Sequence, residues 1–366
     1  MTVLYDHQIF QVQKYGGISR YFHEIISRAA QCPELEVALF LGLNINGYGL
    51  NRSQEKYLRF FGLQRPEIPK TTPLFVLANQ LLFPWFLRKS NPAVYHQTYY
   101  SEFAPHFKGL RVVTVYDMIH EVYPRYFAAD DPTPALKKRA VDRADVVLAI
   151  SHSTKRDLMR FCGTPERKIV VTPLANSLTA KPQDFSLVDA PYFLFVGGRA
   201  GYKNFEFMLK AFCAHDKVAR EFKLVCFGGG PLTDRENEII RRHQLDGRVL
   251  NFSGADEILA TLYKHATALV YPSLYEGFGL PILEAMHYGC PVLTSSSSSI
   301  PEVAGDAALY FDPLSRQQFV SQLERIALSA AERERLNALG RVQEQKFNWD
   351  LTFKATLESY NLASRP

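Results

Sequence analysis

Two carboxylates, Glu276 and Glu284, flank a glycine-bearing turn in the segment Tyr275-Glu276-Gly277-Phe278-Gly279-Leu280-Pro281-Ile282-Leu283-Glu284. An apolar run ends just before it at Pro272, and Pro281 stands where the first turn of a helix does not need an N–H. The expected order is strand, turn, helix. The start of such a helix offers unpaired N–H groups and a partial positive charge, a place for a phosphate or a sugar hydroxyl. Glu276 falls in the turn and Glu284 about a turn into the helix. Carboxylates so placed suit sugar hydroxyls, whose hydrogen bonds they accept, better than phosphate. The plain alternative is a surface Glu and a capping Glu; the glycines and apolar residues around them leave little water and count against it.

Glu-Gly-Phe-Gly-Leu-Pro with a second Glu eight positions after the first resembles the signature of the retaining glycosyltransferases of family 4, and the resemblance covers essentially the whole chain. It implies the GT-B fold. It also implies that Glu284 holds the ribose hydroxyls of a nucleotide sugar, that Glu276 lies against the transferred sugar, and that Gly277, Phe278, Gly279 and Leu280 complete the donor site.

A nucleotide sugar must expel a nucleoside diphosphate, and charge builds on the diphosphate as the glycosidic bond breaks. A metal or fixed cations must meet it. Fixed cations are available in Phe195-Val196-Gly197-Gly198-Arg199-Ala200-Gly201-Tyr202-Lys203-Asn204, a strand running into a glycine-rich turn. Arg199 can fork onto phosphate oxygens and Lys203 adds a point charge. Their spacing matches the family's Arg and Lys pair, and Gly198 belongs to the same donor set. Taken alone, such a pair is more often surface solubility than catalysis. Two further strand ends, Phe227-Gly228-Gly229-Gly230 and Phe252-Ser253-Gly254, correspond to places where the family holds the nucleotide base with backbone, which brings Gly228 and Ser253 into the site.

Nearer the start, Tyr15-Gly16-Gly17-Ile18 puts two glycines ahead of a helix, so that backbone at Gly16 and Gly17 can approach the diphosphate from the opposite wall. An ordinary strand-to-helix turn is the alternative reading; similar family members carry GGI here. The segment is not GxGxxG, which disfavours a nicotinamide cofactor. In Thr114-Val115-Tyr116-Asp117-Met118-Ile119-His120, relatives often have His-Asp where this chain has Tyr116 and Asp117. Asp117 joins Arg199, Lys203 and Glu276 as the expected catalytic set. Tyr116 and His120 are acceptor-side candidates. His120 reads equally as a substitute for the family's histidine or as a loop residue, and His96 is similarly open. Ser151 reads as a helix N-cap, with no GxSxG to support a serine nucleophile.

These residues need strands and helices to position them. Short β-branched or aromatic runs predict strands over 3–5, 36–41, 93–96, 111–116, 146–150 and 169–172, then over 192–196, 223–227, 249–252, 268–271 and 291–294. Helical spacing is clearest over 18–30 and 153–161. The alternation predicts an α/β protein of two doubly wound, Rossmann-like domains facing a cleft. A polar stretch over 181–191 is the expected linker. The division expected is 1–185 for the acceptor side, 190–345 for the nucleotide sugar, and 346–366 for a helix crossing back to the first domain. Residues 331–345 read as a solvated helix. The run 349–362 reads as a helix docking through Leu351, Phe353, Leu357, Tyr360 and Asn361. The serines 295–299 read as a loop after a strand.

Composition narrows the function classes. The 366 residues carry 42 basic and 37 acidic side chains and are 47% hydrophobic, which excludes disordered and disulfide-stapled classes. Five scattered cysteines without CxxC argue for free thiols, and no metal site is expected. The opening residues lack a signal-peptide pattern, so a cytoplasmic location is expected. The apolar stretch 73–87 is too short and too interrupted to span a bilayer. It reads either as a buried helix or, through Trp85 and Phe86 beside Arg88 and Lys89, as a peripheral foot on the inner membrane face. Dispersed cations give no support to nucleic-acid binding. The expected activity is metal-independent, retaining transfer of a hexose, mannose or rhamnose from a GDP-sugar, to a glycan or lipid-linked acceptor of bacterial surface polysaccharide such as O-antigen. The alternatives are a GT-B sugar-nucleotide epimerase and a non-enzymatic two-lobed sugar-binding protein.

Overall fold

Continuous apolar runs such as Tyr-Phe-Leu-Phe-Val at 192–196 are what strands covered on both faces require, and here they form parallel sheets. The computed structural model describes residues 1–50, 56–68 and 71–361. The chain divides into two units, Met1–Leu174 with Trp349–Pro366, and Ala175–Asn348.

In the first unit, seven strands, β1 (Thr2–Tyr5), β2 (Glu36–Asn44), β3 (Arg59–Gln64), β4 (Val94–Gln97), β5 (Leu110–Val115), β6 (Val146–Ala149) and β7 (Ile169–Val171), make one parallel sheet in the order β3-β2-β1-β4-β5-β6-β7. The order reverses between β1 and β4, so a crevice opens at their carboxyl ends. Helix α1 (Gly17–Gln31) buries Tyr21, Phe22, Ile25, Ile26 and Ala29, one stripe of its surface. Helix α2 (Thr72–Ser90) packs Phe83, Phe86 and Leu87 against Leu4, Ala38, Phe40 and Tyr95.

In the second unit, β8 (Tyr192–Val196), β9 (Lys223–Phe227), β10 (Val249–Phe252), β11 (Ala268–Tyr271), β12 (Val292–Ser295) and β13 (Ala308–Phe311) form a parallel sheet in the order β10-β9-β8-β11-β12-β13. Its core gathers Phe193, Phe195, Leu209, Phe212, Leu224 and Leu323. Here the reversal lies between β8 and β11.

Two strands escape the sequence pattern, β3 and β13. Each is an outer strand of its sheet. Most of β3 is exposed or half-buried and it carries Gly62, so it lacks the apolar run of a covered strand. The stretch 181–191 belongs to the second unit: Gln183 N–H donates to Thr261 Oγ1 (2.9 Å), Asp184 pairs with Lys264 and Asp189 with Lys223. The division falls earlier, after Leu174.

The last helix, Trp349–Tyr360, lies in the first unit, while 362–366 fall outside the described residues. It buries Trp349, Thr352, Thr356, Ser359 and Tyr360 and leaves Leu351 exposed, so its inner face is not the leucine-bearing one. The hydroxyls on that face are satisfied by backbone carbonyls. Thr356 and Ser359 donate to backbone carbonyls of Thr352 and Thr356, and Thr352 donates to Pro173 O. The helix Ala330–Glu344 is not wholly solvated either: Gly340 lies against Met286, and Gln343 donates to Val303 O (2.9 Å).

Candidate active site

At the switch point of the second sheet, β8 ends in Gly197 (φ +118°), whose N–H donates to Phe227 O at the end of β9. Gly228, Gly229 and Gly230 follow with φ between +73° and +85°, a run that only glycine adopts without strain. A Cβ on Gly229 would lie 2.9 Å from the Arg199 guanidinium.

That guanidinium is already occupied. Arg199 Nε donates to Glu236 Oε1 (3.0 Å), Nη1 to Gly228 O (2.9 Å) and Asn251 Oδ1 (3.1 Å), and Nη2 to Gly230 O (3.0 Å) and Pro231 O. An arginine has five N–H donors, and these bonds use them all. The expected fork onto phosphate oxygens is thus spent on the carbonyls of the Gly228–Pro231 loop. Glu236 is held as well, since it closes a capping box with Thr233 at the start of the helix Asp234–Arg242.

Lys203 turns the other way. Its Nζ lies 2.8 and 3.0 Å from the two carboxylate oxygens of Glu276, and both side chains are mostly buried. Backbone joins their loops: Leu274 N–H donates to Tyr202 O, and Asn204 Nδ2, at φ +57°, donates to Pro272 O and Pro313 O. The serine tract fixes the Glu276 turn from the far side. Ser298 Oγ accepts from Glu276 N–H (2.8 Å), and Ser299 Oγ donates to the carbonyls of Glu276 and Phe278. The sequence shows these serines only as a loop, because a run of one residue type has no periodicity to show which hydroxyl points inward.

Gly279 (φ +106°) caps the helix Leu280–His287, and Pro281 stands in its first turn as expected. Glu284 projects from that helix and accepts from Tyr263 Oη at 2.8 Å. Tyr263 is fully buried and its ring stacks on Tyr288, 6.1 Å between centroids and 7° between planes. Burial first, and then the Glu284 charge, hold the Tyr263 hydroxyl well above the ordinary tyrosine range, so it stays a donor. Ser253 is exposed at the end of β10 beside Gly254 (φ +141°), and Gly198 follows Gly197 at the end of β8.

In the first unit, Gly16 is the N-cap of α1. Its N–H donates to Tyr48 Oη (3.2 Å), and Gln13 Oε1 accepts from Ser19 N–H (2.8 Å). Beyond its chain neighbours and its own helix backbone, no described atom lies within 4 Å of where a Gly17 Cβ would stand. After β5, Asp117 Oδ1 accepts from Ile119 N–H (3.0 Å), and the fully buried Lys137 donates to Asp117 O and Glu121 Oε2, both at 2.9 Å. Tyr116 is buried against Tyr21, and its hydroxyl has no hydrogen-bond partner among the described residues. His120 stacks on Phe127 at 3.8 Å, with Nε2 3.5 Å from Asp131 Oδ2. His96 is a core residue: Nδ1 meets Tyr360 Oη (2.6 Å) and Nε2 meets Thr114 Oγ1 (2.9 Å). Ser151 Oγ accepts from Thr154 N–H, the N-cap bond expected of it. Among the described residues no three His, Cys, Asp or Glu side chains gather where they could hold a metal ion.

Comparison with known proteins gives this geometry a setting. Residues 15–175 match the family model described as Glycosyltransferase Family 4, and residues 179–343 that described as Glycosyl transferases group 1. O-antigen chain mannosyltransferase B of Escherichia coli is 31% identical, over 94% of this chain and 96% of the relative. O-antigen chain mannosyltransferase RfbU of Salmonella typhimurium is 28% identical, over 59% of this chain and 60% of the relative. Among solved structures, sucrose-phosphate synthase from Thermosynechococcus elongatus superposes with a TM-score of 0.74 at 20% identity, covering 99% of this chain and 98% of that one. HepE of Anabaena, in complex with UDP-glucose, superposes with a TM-score of 0.73 at 14% identity, covering all of both chains. The two parallel-sheet units are those of the GT-B fold.

Proposed function

The chain belongs to the family 4 glycosyltransferases, and from that premise we propose that it transfers a mannosyl or rhamnosyl group from a GDP-sugar, with retention at the anomeric carbon, to a glycan or lipid-linked glycan of bacterial surface polysaccharide. The observation that carries the reading is the Lys203–Glu276 pair at the carboxyl ends of β8 and β11, with Glu284 one helix turn beyond. Lys203 meets the charge that grows on the leaving diphosphate. Glu276 faces the transferred sugar and Glu284 the ribose, while Arg199 shapes the Gly228–Pro231 loop toward the nucleotide instead of touching phosphate. Within the first unit, the proposed roles are backbone contact to the donor for Gly16 and Gly17, at the start of α1, a catalytic role for Asp117, and acceptor binding for Tyr116 and His120.

The bond from the anomeric carbon to the diphosphate breaks, and the acceptor oxygen bonds to that carbon on the same face. The acceptor proton passes to a phosphate oxygen of the leaving group. A fixed cation, Lys203, rather than a metal supports the step. The mannosyl assignment is supported by the names of the Escherichia coli and Salmonella relatives.

A thermal-shift panel of GDP, UDP and dTDP tests the base, because a ligand that binds only the folded state raises its apparent stability. GDP should give the largest shift. Transfer assays with EDTA should keep their rate, and the product should carry the donor's anomeric configuration; an inverted product or a requirement for manganese would overturn the mechanism. Nucleotide release that needs no acceptor would point to an epimerase.

A further inference from the structure

Helix α2 is apolar on both faces, which a helix at a protein surface ordinarily is not. One face packs Phe83, Phe86 and Leu87 into the core. The other presents Leu74, Leu77, Leu81 and Trp85, each more than half exposed, at positions i, i+3, i+7 and i+11. Arg88 continues that stripe by three residues, and Lys89 lies with its ammonium 5.0 Å from the Trp85 ring. Between Glu67 and Glu102 the sequence has no carboxylate side chain. A hollow of about 600 Å³ beside the end of the helix is lined by Arg88, Phe103, His106, Phe107 and Lys108. Glu102, the first acid after it, is paired with Arg139.

We infer that the outer face of α2 docks on an anionic phospholipid surface, with Leu74, Leu77, Leu81 and Trp85 entering the acyl boundary and Arg88, Lys89 and Lys108 meeting the phosphates. The charge pattern selects this occupant. An apolar stripe closing in an aromatic ring and cations, with no acid in the sequence from 68 to 101, matches the layering of an anionic headgroup region. No described helix is long and apolar enough to cross a membrane, so α2 lies along the surface. The surface rests on the proposed transfer reaction only for its purpose, holding the enzyme where a lipid-linked acceptor is; the docking itself is read without donor or turnover.

The probe is the full chain with vesicles of phosphatidylcholine containing phosphatidylglycerol, and of phosphatidylcholine alone. The chain has two tryptophans, and Trp349 is buried, so a blue shift of emission reports Trp85. The expected result is a blue shift and co-sedimentation with the anionic vesicles only. Leu81→Glu with Trp85→Gln should lose binding at least tenfold by sedimentation with an unchanged circular dichroism spectrum. Arg88→Gln with Lys89→Gln, which keeps the apolar stripe and Trp85, should lose about fivefold per cation removed. Wild-type protein that ignores anionic vesicles, binds neutral ones equally, or keeps its binding in both variants would overturn the proposal. So would light scattering that shows a dimer dissolved by Leu81→Glu with Trp85→Gln in protein that does not bind vesicles, since the face would then join two copies of the chain.

Discussion

The ammonium of Lys203 faces both carboxylate oxygens of Glu276, 2.8 and 3.0 Å away. The pair neutralises two mostly buried charges and holds both side chains near the end of β8. In the proposed function the two residues then separate by role. Lys203→Ala should lower kcat by about 2–4 kcal/mol of transition-state stabilisation, because charge on the leaving group grows only as the bond breaks. Glu276→Gln keeps an acceptor for Lys203 and should slow transfer while leaving the affinity for free nucleoside diphosphate intact. Calorimetry with the diphosphate beside transfer rates decides this. Loss of nucleotide affinity in Glu276→Gln would remove Glu276 from the sugar side.

Tyr263 supports Glu284 from beneath, and the prediction there runs the other way. Tyr263→Phe removes one buried donor to a charged acceptor, an interaction worth about 1.5–3 kcal/mol. The ring keeps its stack on Tyr288, so the helix Leu280–His287 should stay in place. Glu284 would lose its orientation, and affinity should fall about tenfold for donor and free diphosphate alike, with kcat little changed. Glu284→Gln should show the same pattern. A Tyr263→Phe enzyme that lowers kcat at unchanged affinity would contradict the positioning role.

Sequence reading anticipated the strands around this site because each is covered on both faces, so that 192–196 and 268–271 read as unbroken apolar runs. It placed Glu276 in a turn and Glu284 in the following helix because glycine and proline punctuate the segment between them. The direction of a long side chain has no such signature. Arg199 and Lys203 stand four residues apart in one loop, yet one turns inward to five protein acceptors and the other to Glu276. Tyr263 looks like any core tyrosine until the fold brings it to Glu284 from another helix. The last helix misled for a related reason: its buried face is lined by Thr352, Thr356 and Ser359, whose hydroxyls donate to backbone carbonyls, so polarity there does not mean exposure.

Arg199→Lys separates charge from geometry. If Arg199 served as a point charge on phosphate, lysine would largely replace it. The five bonds in the structure instead predict that lysine fails, because an ammonium cannot reach Glu236, Asn251 and three carbonyls at once. Breaking a buried pair costs about 3–5 kcal/mol, and the low end is expected because Thr233 N–H still bonds Glu236. Arg199→Lys and Arg199→Ala should therefore lower the melting temperature similarly and weaken nucleotide binding together. A lysine variant with wild-type stability and near-wild-type kcat would return Arg199 to the diphosphate.

His96 gives the first unit a dependence on pH whose sign follows from burial. The ring is enclosed between Tyr360 and Thr114, and burial holds its pKa down at about 3, against an ordinary 6.5. The unfolded chain takes up a proton as pH falls below 6.5, whereas the folded chain does not until about 3. The stability tied to neutral His96 is therefore fully present above pH 6.5 and drains away as pH drops through that window. Each pH unit inside it is worth about 1.4 kcal/mol, so the loss from 6.5 to 5 is about 2 kcal/mol. His96→Asn should be less stable than wild type at pH 7, since the bonds to Tyr360 and Thr114 are disturbed. Its stability difference between pH 7 and pH 5 should be smaller by about 2 kcal/mol, and carboxylates common to both proteins cancel in that comparison. Denaturant titrations at the two pH values measure it. Equal pH slopes in variant and wild type would mean that His96 accepts its proton in the folded chain, and that its ring does not lock the last helix to the sheet as a neutral group.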